Sequence, residues 1–116
     1  MVSKNTILIV DDEEVIKKAL MDVLDKDYDV ISAANGKEAL DTLEERHGDI
    51  ALIVLDLIMP IMDGFEFLAE FRKNLATYGA VKVRSADGAN GDVRTLQVEV
   101  NAENYKAIIE LFKKAI

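Results

Sequence analysis

Apolar positions in this chain follow three rhythms. Ile7-Leu8-Ile9-Val10 and Ile50-Ala51-Leu52-Ile53-Val54-Leu55 are short unbroken runs, the pattern of strands buried on both faces. Val15, Ile16, Ala19, Leu20, Val23 and Leu24 instead recur at helical spacing, with Lys17, Lys18 and Asp22 between them. That pattern predicts an amphipathic helix, and Asp12, Glu13 and Glu14 sit at its start, where the helix dipole favours negative charge. Tyr28 to Ala33 reads as a second strand and Asn35-Gly36 as a turn. Lys37 to Glu45 reads as a second helix with Ala39, Leu40 and Leu43 on one face. Beyond a loop from Leu57 to Gly64, Phe65, Phe67, Leu68 and Phe71 predict a third helix.

The third rhythm is alternation. Val81-Lys82-Val83-Arg84-Ser85 and Arg94-Thr95-Leu96-Gln97-Val98-Glu99-Val100 switch between apolar and polar, as strands with one buried face do. The segment between them, Ala86 to Val93, is dense in turn formers and too short for a parallel return, which needs roughly a dozen residues or more. The two strands therefore read as an antiparallel hairpin. Its last strand is expected at the edge of the sheet. Gln97 and Glu99 lie on one face of that strand, and the other face is kept apolar for a last helix. In that helix Asn101 is a plausible N-cap, and Ala107, Ile108, Leu111, Phe112 and Ile116 form the buried face.

The element order is thus βαβαβαββα. It predicts a three-layer α/β fold: a parallel-sheet half, then an antiparallel hairpin and a C-terminal helix. With 116 residues, half of them hydrophobic, the chain reads as a single domain, 1–116. The βαβαβα half covers 1–75 and the ββα piece 80–116.

Composition narrows the chemistry. Lys plus Arg is 14 and Asp plus Glu is 22, for a formal net charge of -8. Such a surface repels nucleic acid and anionic lipid and suits cations or basic partners. With no Cys and a single histidine, His47, cysteine catalysis, thiolate metal sites and histidine-rich metal sites are excluded. No apolar run has the length of a membrane span, and the start, Met1 to Thr6, does not read as a secretory signal. The expected compartment is the cytosol, and the sequence is silent on oligomeric state. His47 reads as a solvated residue near a helix end. Nucleophile-elbow and glycine-rich dinucleotide patterns are absent, which argues against hydrolase and dehydrogenase readings.

In open parallel sheets, ligands bind beyond the carboxyl ends of the strands. Two strands end there in acid: Asp11-Asp12 after the first, Asp56 after the central one. Three carboxylates converging at one edge repel unless a cation joins them. All-oxygen ligation suits a hard divalent ion such as Mg2+, which commonly shares one or two carboxylates with a phosphate. A carboxylate is also a competent acceptor for a phosphoryl group.

Ile7 to Asp12 (ILIVDD), Ala33 to Leu40 (AANGKEAL) and Leu52 to Phe67 (LIVLDLIMPIMDGFEF) resemble the receiver domain of bacterial two-component response regulators, in order and at the family's spacing, over about residues 5–75. The resemblance implies a flavodoxin-like fold for this half, with Asp56 as phosphoacceptor and Mg2+ as cofactor. Asp12, Asp56 and the backbone carbonyl of Ile58 would bind the ion directly, and Asp11 mainly through water. Ser85 can be laid on the family's hydroxyl residue at the end of the fourth strand. A histidine kinase or small phosphodonor would be the partner, with no nucleic acid or membrane partner.

The remainder departs from the family. There is no room for its fourth helix, and no Lys-Pro, since the only proline is Pro60. Glu99, Val100 and Asn101 stand where the last strand ends. The alternative to a working phosphoacceptor is therefore an engineered or chimeric receiver-derived scaffold with no selected activity, joined near Asn74 to Ala80. A receiver-like interaction module that works without phosphorylation is a further reading.

Overall fold

The structure, a computed structural model, describes residues 5–56, 83–87 and 93–115, together with Glu66, Ala69, Glu70 and Lys73. The expected loop Leu57 to Gly64, with Ile58, Met59, Pro60 and Met62, and the apolar face Phe65, Phe67, Leu68 and Phe71 lie outside the described residues.

Strands β1 (Thr6–Val10), β2 (Asp29–Ala33) and β3 (Ile50–Asp56) alternate with helices α1 (Glu14–Leu24) and α2 (Gly36–Arg46). Strands β4 (Val83–Asp87) and β5 (Val93–Glu99) follow, then a C-terminal helix (Tyr105–Ala115). All five strands form one sheet in the order β2-β1-β3-β5-β4. The β1–β2 and β1–β3 pairs are parallel, whereas β3–β5 and β4–β5 are antiparallel. This is the expected parallel half continued by an antiparallel hairpin.

Handedness sets the layers. The chain moves from β1 outward to β2, then back across β1 to β3. With right-handed crossovers, that reversal puts α1 and α2 on opposite faces. The C-terminal helix packs beside α2. The core cluster lies between these two helices and the sheet: Leu8 and Val10 of β1, Ile53 and Leu55 of β3, and Leu96 and Val98 of β5 meet Leu43, Ile108, Leu111 and Phe112. Glu70, in a helical segment between β3 and β4, reaches the same side, with Lys114 Nζ 3.8 Å from its Oε2.

The last strand is not the edge. β5 lies between β3 and β4, and β4 takes the edge. Burial accounts for this. Leu96 and Val98 are each 1% exposed, and they reach that depth by pairing with Leu55 and Ile53 of the central strand beneath the C-terminal helix. Gln97 and Glu99, which alternate with them, remain exposed, as the pattern implied. β4 also runs further than expected, taking in Ala86 and Asp87, with a register shift between them.

Helix α1 departs more sharply. Val15 is 81% exposed and Val23 70%, whereas Lys17 is 5% exposed. The six apolar positions of α1 span more arc than its packing against β2 can cover. The face turned to the sheet carries Lys17, Leu20, Met21 and Leu24, the last three half-buried. Lys17 fits there because its methylene stem is apolar, while its Nζ reaches Glu14 Oε1 at 2.6 Å.

Side chains cap the entries of α2 and of the C-terminal helix, whereas Glu13 at the start of α1 makes no side-chain cap bond. Asn35 Oδ1 accepts from the Glu38 N–H at 3.0 Å, and Glu38 Oε2 accepts from the Ala34 N–H at 2.7 Å. These are the two halves of a capping exchange, shifted by one residue on the return bond. Asn101 Oδ1 accepts from the N–H groups of Glu103 and Asn104. In return Asn104 Oδ1 accepts from the Asn101 N–H at 2.8 Å. His47 is the C-cap of α2, half-buried rather than solvated.

Candidate functional site

The site grows out of a register. Val10 of β1 pairs with Leu55 of β3 in parallel, so the residue after each, Asp11 and Asp56, reaches the same edge of the sheet. Asp12 follows Asp11 into the turn before α1. One carboxylate oxygen from each of Asp11, Asp12 and Asp56 lies within 4.8 Å of the others. Asp11 is buried at 6% exposure, Asp56 is half-buried and Asp12 is exposed.

Local bonds hold the cluster in place. The Asp11 N–H donates to the Ala33 carbonyl at 3.1 Å, extending the β1–β2 ladder by one residue. Asp11 Oδ1 accepts from the Glu13 N–H at 2.8 Å, an aspartate turn that directs the chain into α1. Asp11 is thus committed through one oxygen to the fold, while Asp12 stands free to face solvent.

Electrostatics then sets what the cluster favours. Two unit charges at such a separation repel by roughly 3 kcal/mol at an effective dielectric of about 20. A divalent cation among them converts that repulsion to attraction. The donors are all oxygen, which fits a hard ion such as Mg2+ or Ca2+ and excludes soft-metal chemistry.

Of the remaining residues that the sequence singled out, Ile58 lies outside the described residues. Ser85 is on β4, paired with Leu96, and β5 separates it from β3. Glu99, near the end of the last strand, pairs with Leu52, close to the opposite edge of the sheet from Asp56. Thr95, which the sequence did not single out, stands directly opposite Asp56 on β5. Its place opposite Asp56 depends on β5 lying directly beside β3, and that strand order is not written in local pattern. An apolar pocket of about 280 Å³, lined by Ile7, Leu24, Tyr28 and Leu52 among others, lies toward the amino ends of the strands, away from the carboxylates.

Comparisons with known proteins point to one family. Residues 7–113 match the family described as response regulator receiver domain. The chain is 46% identical over 71 residues to a probable transcriptional regulator ycf27 of Porphyridium aerugineum, covering 60% of this chain and 29% of that protein. It is 37% identical over 100 residues to the alkaline phosphatase synthesis transcriptional regulatory protein PhoP of Bacillus subtilis, covering 85% of this chain and 40% of that one. The chain therefore spans well under half the length of these relatives. Among solved structures, the N-terminal domain of a response regulator receiver protein from Methanoculleus marisnigri JR1 matches with a TM-score of 0.50 at 36% identity, over 65% of this chain and 60% of that one. The family match runs from β1 through the C-terminal helix, across both the parallel half and the antiparallel ending, and the chain belongs to the response regulator receiver domain family.

Proposed function

We propose that Asp56 accepts a phosphoryl group in two-component signalling, with Asp11, Asp12 and Asp56 holding Mg2+ beside it. The observation that carries this reading is the meeting of the three carboxylates within 4.8 Å at the carboxyl ends of β1 and β3. Mg2+, when bound, supplies charge neutralisation for the incoming phosphoryl oxygens.

The residues of the chain divide the work. A carboxylate oxygen of Asp56 attacks phosphorus. The P–N bond of a phosphohistidine, or the P–O bond of a small acyl phosphate, breaks, and its electron pair leaves with imidazole or carboxylate. A new Oδ–P bond forms, giving an acyl phosphate on Asp56. Asp11, fixed by the Glu13 N–H, is preorganised and loses little freedom when the ion binds. The donor is a histidine kinase or a small phosphodonor, and the working compartment is the cytosol.

Acetyl phosphate with Mg2+, followed by intact mass, tests this. The expected result is one added phosphoryl group on the wild type and none on Asp56→Ala. No gain on the wild type, or an equal gain on Asp56→Ala, overturns the reading. The reversed direction of β5 favours one alternative, a receiver-derived scaffold that folds and transfers nothing, and a wild type that stays unmodified would support it.

A further inference from the structure

The apolar pocket at the amino ends of β1 and β3 has no part in the reading of Asp56, and the local fold explains its presence. Leu8 and Val10 of β1 and Ile53 of β3 belong to the core cluster under α2. Alternation along the strands turns Ile7 and Leu52, which pair with each other, to the opposite face, the one that α1 covers. The β1–β3 register shifts between Thr6 and Ile7, so Ala51 is an extra residue on β3, and such a residue bends its strand. Helix α1 ends at Leu24 and supplies no further side chain to cover the bend. The chain turns back at once, with the N–H groups of Asp27 and Tyr28 both donating to the Leu24 carbonyl, at 3.2 and 3.0 Å. Tyr28 is left 46% exposed. The space that results is about 280 Å³, lined by Asn5, Ile7, Leu24, Tyr28, Ala51 and Leu52.

We propose that this pocket binds a small organic cation, an apolar ring system that carries a protonated amine. Its volume lies near the lower end for ligand pockets, roughly 300–1,000 Å³, which suits a body of one or two rings. Five of the six lining residues are apolar or aromatic. Water in such a space has few partners, and an apolar body displaces it favourably. The surroundings set the charge of the ligand. Asp25, Asp27 and Asp29 flank Leu24 and Tyr28 in sequence and are all exposed, with Lys26 the one base among them. Asp29 is tied to the lining, its N–H donating to the Asn5 carbonyl at 3.1 Å. The face of the Tyr28 ring attracts a cation as well. An anion of the same shape meets repulsion from the three acids instead.

Amide chemical shifts of the 15N-labelled chain, titrated with tryptamine and separately with indole-3-acetate, test this. The two probes share an indole body and differ in the sign of their charge. The expected result is a saturable tryptamine titration with a Kd of roughly 1 mM or tighter. Its shifts should centre on Ile7, Leu24, Tyr28 and Leu52, and indole-3-acetate should bind roughly fivefold or more weakly. Tyr28→Ala should weaken tryptamine by roughly fivefold. Asp27→Asn combined with Asp29→Asn should narrow the gap between the two probes. Should Tyr28→Ala fail to fold, the shift map and the ratio of the two affinities in the wild type decide alone. Overturning results are tryptamine shifts spread over the acidic surface, no saturation, or equal binding of the two probes. None of these bears on Asp56 as the acceptor.

Discussion

The His47 ring lies flat against the Tyr105 ring, with centroids 4.0 Å apart and planes 6° from parallel. His47 closes α2, and Tyr105 opens the C-terminal helix. The stack therefore joins the parallel half of the chain to its antiparallel ending. His47 Nδ1 also lies 3.2 Å from the Leu43 carbonyl, which fixes the ring plane against the end of α2.

That contact has a measurable energy. Aromatic pairs contribute about 0.5–1.5 kcal/mol beyond the area they bury. A double-mutant cycle with His47→Ala and Tyr105→Ala, read by urea unfolding, is expected to give a coupling in that range. A coupling near zero would mean that the two rings pack independently.

Asn104 holds the entry to the same helix. It is 3% exposed, with its Nδ2 donating to the Glu99 carbonyl at 2.7 Å and its Oδ1 accepting from the Asn101 N–H at 2.8 Å. Asn104→Ala removes both of these bonds from a buried place and is expected to cost about 2–4 kcal/mol. Asn104→Asp keeps the acceptor but loses the donor to Glu99, so its loss should be intermediate. Equal stability of the alanine variant and the wild type in urea would contradict this account.

The two faces of the sheet should respond differently to substitution. Leu43, at 0% exposure in the core cluster, faces both helices and sheet, and Leu43→Ala is expected to cost about 2–5 kcal/mol. Val23 is 70% exposed on α1, so Val23→Lys should stay within about 0.5 kcal/mol of wild type. Comparable losses from both would show that α1 buries the apolar stripe that its sequence advertises.

Removing one of the clustered carboxylates should have opposite signs with and without Mg2+. In chelator, Asp12→Asn relieves repulsion with Asp11 and Asp56, and stability is expected to rise by up to about 1 kcal/mol for a charge this exposed. In the wild type, Mg2+ at about one hundred times its Kd should add about 2.7 kcal/mol, and most of that gain should vanish in Asp12→Asn. Thermal unfolding of both proteins with Mg2+ or chelator measures this. A wild type indifferent to Mg2+ would argue against a cation among these side chains.

Local pattern was enough to determine much of this protein. The apolar runs at Ile7–Val10 and Ile50–Leu55 read as strands buried on both faces, the βαβ order made them parallel, and acids directly after both reach one sheet edge once those strands are neighbours. The alternation from Leu96 to Val100 likewise announced a one-faced strand and an antiparallel hairpin. What local pattern could not carry was the competition between elements for the same core. Leu96 and Val98 gain most by lying against Leu55 and Ile53, and this drew β5 inward and left β4 at the edge. The same competition left Val15 and Val23 in solvent while Lys17 was buried, because among the described elements α1 packs chiefly on β2. The partner of Asp56 was settled at that level too. Thr95 comes beside it through strand order and strand direction, and both follow from how much apolar surface the whole chain buries rather than from any residue next to Asp56 in sequence.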